Sequence, residues 1–311
     1  MKIGFIYAGQ GSQAVGMGRS LYRNYQAARP VFDDSVMDFD LKELCFNGPA
    51  EQLNQTQFIQ PCMVAVAVAA TCVLADNGIL PDMAAGLSLG EYSALYAAGA
   101  FDARTALSLT RFRGQVMESS VQGIDGKMAA VLGLERELLQ AACDEGCSLG
   151  TVQIANYNCP GQMVIGGEAA AVEKASQAAI AKGARRVLPL NVSGPFHTSL
   201  LSPAAEKLAE KLRGIKINEL NIPVIFNATA RPLQNDETII RLLTRQVMSP
   251  VYFEDSIRYM EQSGVTTIIE IGPGKVLSGF VRKTAPSMAV LSVEDGETME
   301  AAIAAINNTR H

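Results

Sequence analysis

A chain that alternates strand, tight turn and helix buries its strands most readily in a parallel sheet with helices on its faces, and that alternation runs through both ends of this sequence. Residues 2–8 form an expected buried strand, with Gly9-Gln10-Gly11-Ser12-Gln13 as a turn into a helix. An apolar helix follows; its run 62–75 is broken only by Thr71, and it is opened by Pro61 and closed near Gly78. Next come a strand at 83–85, the turn 86–90, and helices at 91–98 and 102–120, the latter capped by Asp102. Near the C-terminus, strands are expected at 222–226, 266–271 and 289–293, and Ser202-Pro203 opens a helix that Gly214 stops.

Between 123 and 192 the order changes. A strand at 127–134, a helix at 135–145, strands at 151–156 and 163–166, a helix at 169–182 and a strand at 186–192 follow one another. This β-α-β-β-α-β order is that of a ferredoxin-like unit, and the first pattern resumes after it. The expected fold is therefore α/β: a discontinuous large domain, 1–122 and 194–311, carrying an inserted small domain, 123–193. A length of 311 residues suits two such units.

Composition narrows the function. With 48% apolar and 18% charged residues, the chain has ample material for a core and is not disordered. Its 26 basic and 31 acidic residues argue against a nucleic-acid binder working by bulk charge. The first ten residues hold too short an apolar run for a signal peptide, and 62–75 is too short to span a bilayer. Six cysteines, at 45, 62, 72, 143, 147 and 159, lack paired metal spacing. Buried free thiols in a reducing cytoplasm, with no metal site, are the expectation.

Gly86-Leu87-Ser88-Leu89-Gly90 fits G-x-S-x-G between an expected strand and helix, the setting that lifts a serine hydroxyl to the top of a sheet. The bland alternative is a serine N-cap. A nucleophilic serine needs a base, and the chain has two histidines, of which His311 is the terminal residue and expected to fray. His197, in the loop Ser193-Gly194-Pro195-Phe196-His197, is the candidate; no S-x-x-K spacing that would supply a lysine base includes Ser88. The N–H of Leu89 and the loop around Gln10 could supply oxyanion donors. Read otherwise, Gly9, Gly11 and Ala14 form a dinucleotide fingerprint, but 22–40 is a charged, helix-like stretch with no second strand to carry a ribose-binding acid. Arg111 and Arg113 share a helix, where arginines are ordinarily solvated.

These residues sit in longer motifs. Tyr7 to Gln13 corresponds to F-P-G-Q-G-S-Q, Gly86 to Tyr92 to G-H-S-x-G-E-Y, and Arg113-Gly114 to an R-G pair. Asn158 to Gln162 corresponds to N-x-P-G-Q and Ser193 to His197 to S-G-P-F-H; Arg245-Gln246 and Glu270 to Lys275 match as well. On these motifs the chain resembles, over essentially its whole length, the malonyl-coenzyme A:acyl carrier protein transacylases of bacterial fatty-acid synthesis.

The resemblance implies a hydrolase-like parallel-sheet domain with a ferredoxin-like insertion, and roles for individual residues. Ser88 would take the malonyl group from the thioester, His197 would act as base and then acid, and the backbone carbonyl of Gln246 would orient that histidine. Backbone N–H groups of Gln10 and Leu89 would hold the oxyanion, and Arg113 would pair with the malonyl carboxylate. Asn158 would bind substrate, as would Phe196, which agrees with malonyl-selective members. No cofactor is implied, since the coenzyme A thioester is a substrate. Acyl carrier protein is the implied partner, with no nucleic acid or membrane and a monomeric chain. Carrier docking would use Lys182, Arg185 and Arg186, or Lys275, Arg282 and Lys283. Two departures stand out: Leu87 replaces a histidine before the nucleophile, and Ala8 replaces a proline beside the oxyanion loop. A serine esterase or thioesterase would share the elbow without requiring Arg113, and a nucleotide-binding module would use the glycine loop instead.

Overall fold

Strand β1 (Ile3–Tyr7) is buried at all five positions, as a strand covered on both faces must be. It pairs in parallel with β2 (Met83–Gly86) on one side and β9 (Thr267–Ile271) on the other, so that Tyr7 stands beside both Gly86 and Ile271. β7 (Val224–Ile225) and β10 (Ala289–Val293) complete a five-stranded parallel sheet of order β10-β9-β1-β2-β7. Its carboxyl ends share one edge, where open α/β sheets bind ligands. Gln10, Ser88 and Asn227 follow β1, β2 and β7 there. The computed structural model describes residues 1–192 and 194–310; Ser193 and His311, with the expectations placed on them, lie outside the described residues.

β3 (Gly126–Leu132), β4 (Val152–Cys159), β5 (Gln162–Glu168) and β6 (Arg186–Pro189) pair antiparallel in the order β6-β3-β5-β4. Helices Arg136–Gly146 and Ala169–Ala181 pack against this sheet around Val131, Leu139, Ile165 and Ala175. The whole is therefore a hydrolase-like α/β layer with a ferredoxin-like insertion. β6 ends at Pro189 rather than 192, because Val192 turns back to donate to the carbonyl of Leu190 at 3.1 Å. A fifth strand, β8 (Val251–Tyr252), joins in parallel to β4 and bridges the sheet to the C-terminal part of the chain. Two residues are too few to show a sequence period, so β8 was not expected.

The apolar helix runs Thr56–Asp76, and Pro61 lies inside it rather than opening it. Proline has no N–H to offer the carbonyl four residues back. Here that carbonyl, on Gln57, accepts from Arg111 Nη1 at 2.9 Å instead. Arg111 is thus not a solvated helical arginine; it is buried, paired with Asp38 and packed over the rings of Phe39 and Phe58. At 21 residues the helix is long and apolar enough to cross a membrane, but 83% of its most apolar window is buried inside the protein. It packs against helix Ala103–Ser120, whose Asp102 cap accepts from Thr105 N at 2.7 Å. A Cβ on Gly114 would stand 2.6 Å from the Thr56 carbonyl oxygen, which explains the glycine after Arg113. No disulfide links the cysteines; Cys147 is exposed and Cys72 half-buried, so burial holds for the other four alone.

Candidate active site

The turn between β2 and helix Gly90–Ala97 leaves no room for side chains at its glycines. A Cβ on Gly86 would lie 2.0 Å from the Gly90 carbonyl carbon, and one on Gly90 would lie 2.2 Å from the Tyr7 carbonyl oxygen. Between them Ser88 is held at φ +50°. Among the described residues only three non-glycine positions have positive φ, and two are Ser88 and His197 (φ +61°). Such backbone persists where the surroundings over-determine it. The backbone N–H groups of Gln10 and Leu89 have no hydrogen-bond partner among the described residues, leaving both free to meet an anion.

Ser88 Oγ lies 2.7 Å from His197 Nε2, and His197 Nδ1 lies 2.8 Å from the backbone carbonyl of Gln246. A carbonyl only accepts, so Nδ1 carries the proton and the Nε2 lone pair faces the Ser88 hydroxyl. His197 is buried, and burial, assisted by the nearby charge of Arg113, lowers its pKa to about 4. It is therefore neutral near pH 7, the state a base requires.

Arg113 is 1% exposed, and no carboxylate lies within ion-pair distance of it among the described residues. Its Nη1 donates to Gln60 Oε1 at 2.9 Å and its Nη2 to Gln246 Oε1 at 3.0 Å, while Nε has no partner among the described residues. The guanidinium also sits 5.5 Å from the centre of the Tyr92 ring. Burial pulls its pKa down from the usual arginine value, yet a guanidinium keeps its charge in proteins. A buried cation whose hydrogen-bond partners are all neutral is set to receive an anion.

Ser88, His197 and Arg113 open onto one cavity of about 720 Å³, lined by the 9–13 loop, by β4 and β5 and by the segment 190–192. Phe196 and Asn158 line it too, and the buried Asn158 Oδ1 has no partner among the described residues. Leu87 also faces it, packing against the cluster that holds Ile6, Leu277 and Phe280. Ala8 donates its N–H to the Ile271 carbonyl at 3.0 Å, a bond a proline could not make, so the loop is tied down in another way. A second groove of about 790 Å³, between 215–224 and 232–240, shares no lining residue with this cavity. Among the described residues no group of three or more His, Cys, Asp and Glu side chains is placed to hold a metal ion. Of the candidate docking cations, Lys182 pairs with Glu145 and Lys275 with Glu294.

Residues 4–310 match the family model described as acyl transferase domain. The malonyl CoA-acyl carrier protein transacylase of Bacillus subtilis is 46% identical over 305 residues, covering 97% of this chain and 96% of that one. The chain belongs to the malonyl CoA-acyl carrier protein transacylase family. Among solved structures, the family member from Clostridium perfringens superposes with a TM-score of 0.96 at 43% identity, covering 100% of this chain and 98% of that one. A malonyl-transacylase solved with its type II PKS acyl-carrier protein superposes at 0.94 with 37% identity, covering 98% and 100%.

In this transacylase family member the sequence-derived candidates Gln10, Ser88, Leu89, Arg113, Asn158, Phe196 and His197 line a single cavity, and Gln246 stands behind Ser88 and His197, bonded to both. Three buried polar residues beside them escaped the sequence reading. Gln60 binds Arg113; its one signal was a polar residue at the mouth of an otherwise apolar helix. Asn227 binds the backbone of Ser88, and nothing in the local pattern Phe226-Asn227-Ala228 marks it. Glu91, on the elbow helix, is wholly buried, and burial raises its pKa to about 8.

Proposed function

We propose that this chain, acting in the cytoplasm, transfers a malonyl group from malonyl-coenzyme A to the phosphopantetheine thiol of acyl carrier protein through a malonyl ester on Ser88. One observation carries the proposal: a serine–histidine pair shares its cavity with a buried arginine that pairs with no carboxylate among the described residues. A hydrolase of neutral esters has no use for that buried cation.

In the proposed course, His197 Nε2 takes the Ser88 proton as Oγ attacks the thioester carbonyl. The oxyanion that forms meets the N–H groups of Gln10 and Leu89. Collapse breaks the C–S bond, and the imidazolium returns its proton to the departing coenzyme A sulfur. The carrier's thiol then enters the emptied site, gives its proton to His197, and attacks the serine ester. Collapse of the second intermediate releases malonyl-carrier thioester and returns the proton to Ser88. Arg113 holds the carboxylate of the acyl group through both half-reactions, and Asn158 and Phe196 contact the substrate. Gln246 orients the imidazole through its carbonyl, so a dyad takes the place of a triad.

The proposed domain division takes 1–122 with 194–311 as the catalytic unit, lending β8 to the second sheet, and 123–193 as the inserted unit that walls one side of the cavity. Support comes from β4 and β5, which contribute Asn156, Asn158, Gln162 and Val164 to that wall.

Intact-mass measurement after brief mixing with malonyl-coenzyme A tests the proposal. A malonyl adduct in the native chain, absent from Ser88→Ala and discharged on adding carrier protein, is the expected result. Malonylation of Ser88→Ala at another residue sinks the nucleophile assignment, and discharge by water as fast as by carrier protein makes the chain a hydrolase.

A further inference from the structure

Asn227 is wholly buried, and each of its four polar atoms bonds to a different partner. It sits in a tight loop after β7, closed where Phe226 bridges to Arg231. Its backbone N–H donates to Glu91 Oε2 at 2.5 Å, and its carbonyl accepts from Tyr252 N on β8 at 3.0 Å. In the side chain, Oδ1 accepts the Ser88 N–H at 2.8 Å and Nδ2 donates to the Gly86 carbonyl at 2.7 Å. The Ser88 amide can only donate and the Gly86 carbonyl can only accept, so the amide has one possible orientation.

We propose that Asn227 is a positioning residue for acyl transfer: its side-chain amide staples the two arms of the elbow together and holds Ser88 in its left-handed backbone conformation. This rests on Ser88 being the nucleophile. Gly86 and Gly90 permit the turn by removing steric conflict, but their lack of side chains attracts nothing. The attraction comes from Asn227, reaching across a sequence separation of 139 residues. Gln246 Nε2 adds a second tie, donating to the Ser88 carbonyl at 2.8 Å and lying 3.3 Å from Asn227 Oδ1.

The staple also sorts the donors. With the Ser88 N–H engaged by Asn227, the N–H groups of Leu89 and Gln10 are the ones left to face an oxyanion. Removing the amide would free the Ser88 N–H and let the Oγ swing relative to His197 and those donors. Small misplacements of this kind slow the chemical step while leaving substrate binding intact.

Two variants test the proposal by single-turnover malonylation of Ser88, with circular dichroism to report folding. Asn227→Ala, folded, is expected to malonylate about 10- to 100-fold more slowly at saturating malonyl-coenzyme A, with KM within about twofold of native. Asn227→Asp keeps the acceptor for Ser88 but can donate to Gly86 only when its carboxyl is protonated. The ionisable groups around that position are Glu91, Arg113, His197 and Tyr252. Glu91, at about 8, titrates at the top of the range in both proteins and His197, at about 4, below it, so the readout is the ratio of variant to native rate. That ratio is expected to climb as the pH falls from about 8 to about 5.5, a recovery that a space-filling role would not produce. A native rate in Asn227→Ala, or a flat ratio for Asn227→Asp, overturns the positioning role; if Asn227→Ala does not fold, the ratio decides alone. The native chain in the same series separates the two ideas, since absence of malonyl on its Ser88 overturns the nucleophile assignment itself.

Discussion

Arg113 Nη2 lies 3.3 Å from Ser88 Oγ. The candidate acid-binding group and the candidate nucleophile are therefore neighbours, and only an acyl group with its charge close to its reacting carbonyl fits between them. A malonyl thioester has that form, with a single methylene between carbonyl and carboxylate. Gln60 and Gln246 hold the guanidinium from behind without neutralising it.

Arg113→Ala should therefore cost malonyl-coenzyme A dearly. Stranding a buried carboxylate without its partner is worth roughly 2–5 kcal/mol, or about 30-fold to a few thousandfold in kcat/KM. Acetyl-coenzyme A has no carboxylate to strand and should lose far less. Steady-state kinetics with both thioesters check this; parallel losses would mean that Arg113 supports the fold and does not select the acid.

The acid limb of catalysis should lie unusually low. His197 is held neutral by burial and then by Arg113, with a pKa of about 4 against a usual 6.5. The pH profile of kcat/KM should stay level down to about pH 5 and fall with a midpoint near 4. Stability follows the same sign: between 6.5 and 4 the unfolded chain binds a proton that the native chain refuses. The contribution present above 6.5 is thus lost as the pH falls through 4. A midpoint at the ordinary histidine value would show that His197 is solvated in solution.

Glu91 should behave in the opposite sense. Its carboxyl titrates at about 8 in the folded chain against 4.5 when free, so between those values the native state holds a proton that the unfolded state has released. Its contribution is complete below 4.5 and lost as the pH rises through 8. Glu91→Gln removes the titration while keeping an acceptor for the Asn227 N–H. Melting curves should show the variant gaining on the native chain as the pH is raised; a constant gap would place the carboxyl in contact with water.

Arg111→Ala should damage stability and spare chemistry. Its guanidinium satisfies the Gln57 carbonyl that Pro61 leaves without a donor, and it pairs with Asp38. Leaving a buried carbonyl unmet costs about 1–3 kcal/mol. Denaturant titration should show that loss, while kcat/KM of the folded variant stays near native. A fall in kcat/KM like that of Arg113→Ala would contradict the separation of the two arginines.

Much of the fold and the dyad was legible because local backbone geometry dictates residue type. The elbow must have glycine at 86 and 90, since any Cβ there meets backbone at 2.0–2.2 Å, and that requirement is written as a five-residue pattern. The ferredoxin-like order was legible because its strands and helices are long enough to display their periods. β8 was not, having only two residues, and the start of the apolar helix was misplaced at Pro61. A proline inside a helix is tolerated only if something else satisfies the carbonyl it abandons, and Arg111 lies 54 residues away.

The sequence by itself determined the parallel layer, the inserted unit, the turn that carries the candidate nucleophile and, having one internal histidine, the candidate base. Tertiary structure alone decided how those parts are held. Gln60 and Gln246 under Arg113, Asn227 on the Ser88 amide and Glu91 beneath them are brought together from four separate elements, with separations of 53 to 139 residues. The reason is physical. A turn or a cap is fixed by neighbours in the chain, whereas a buried polar group is satisfied by whatever donor or acceptor the fold delivers, and no local pattern records which one that will be.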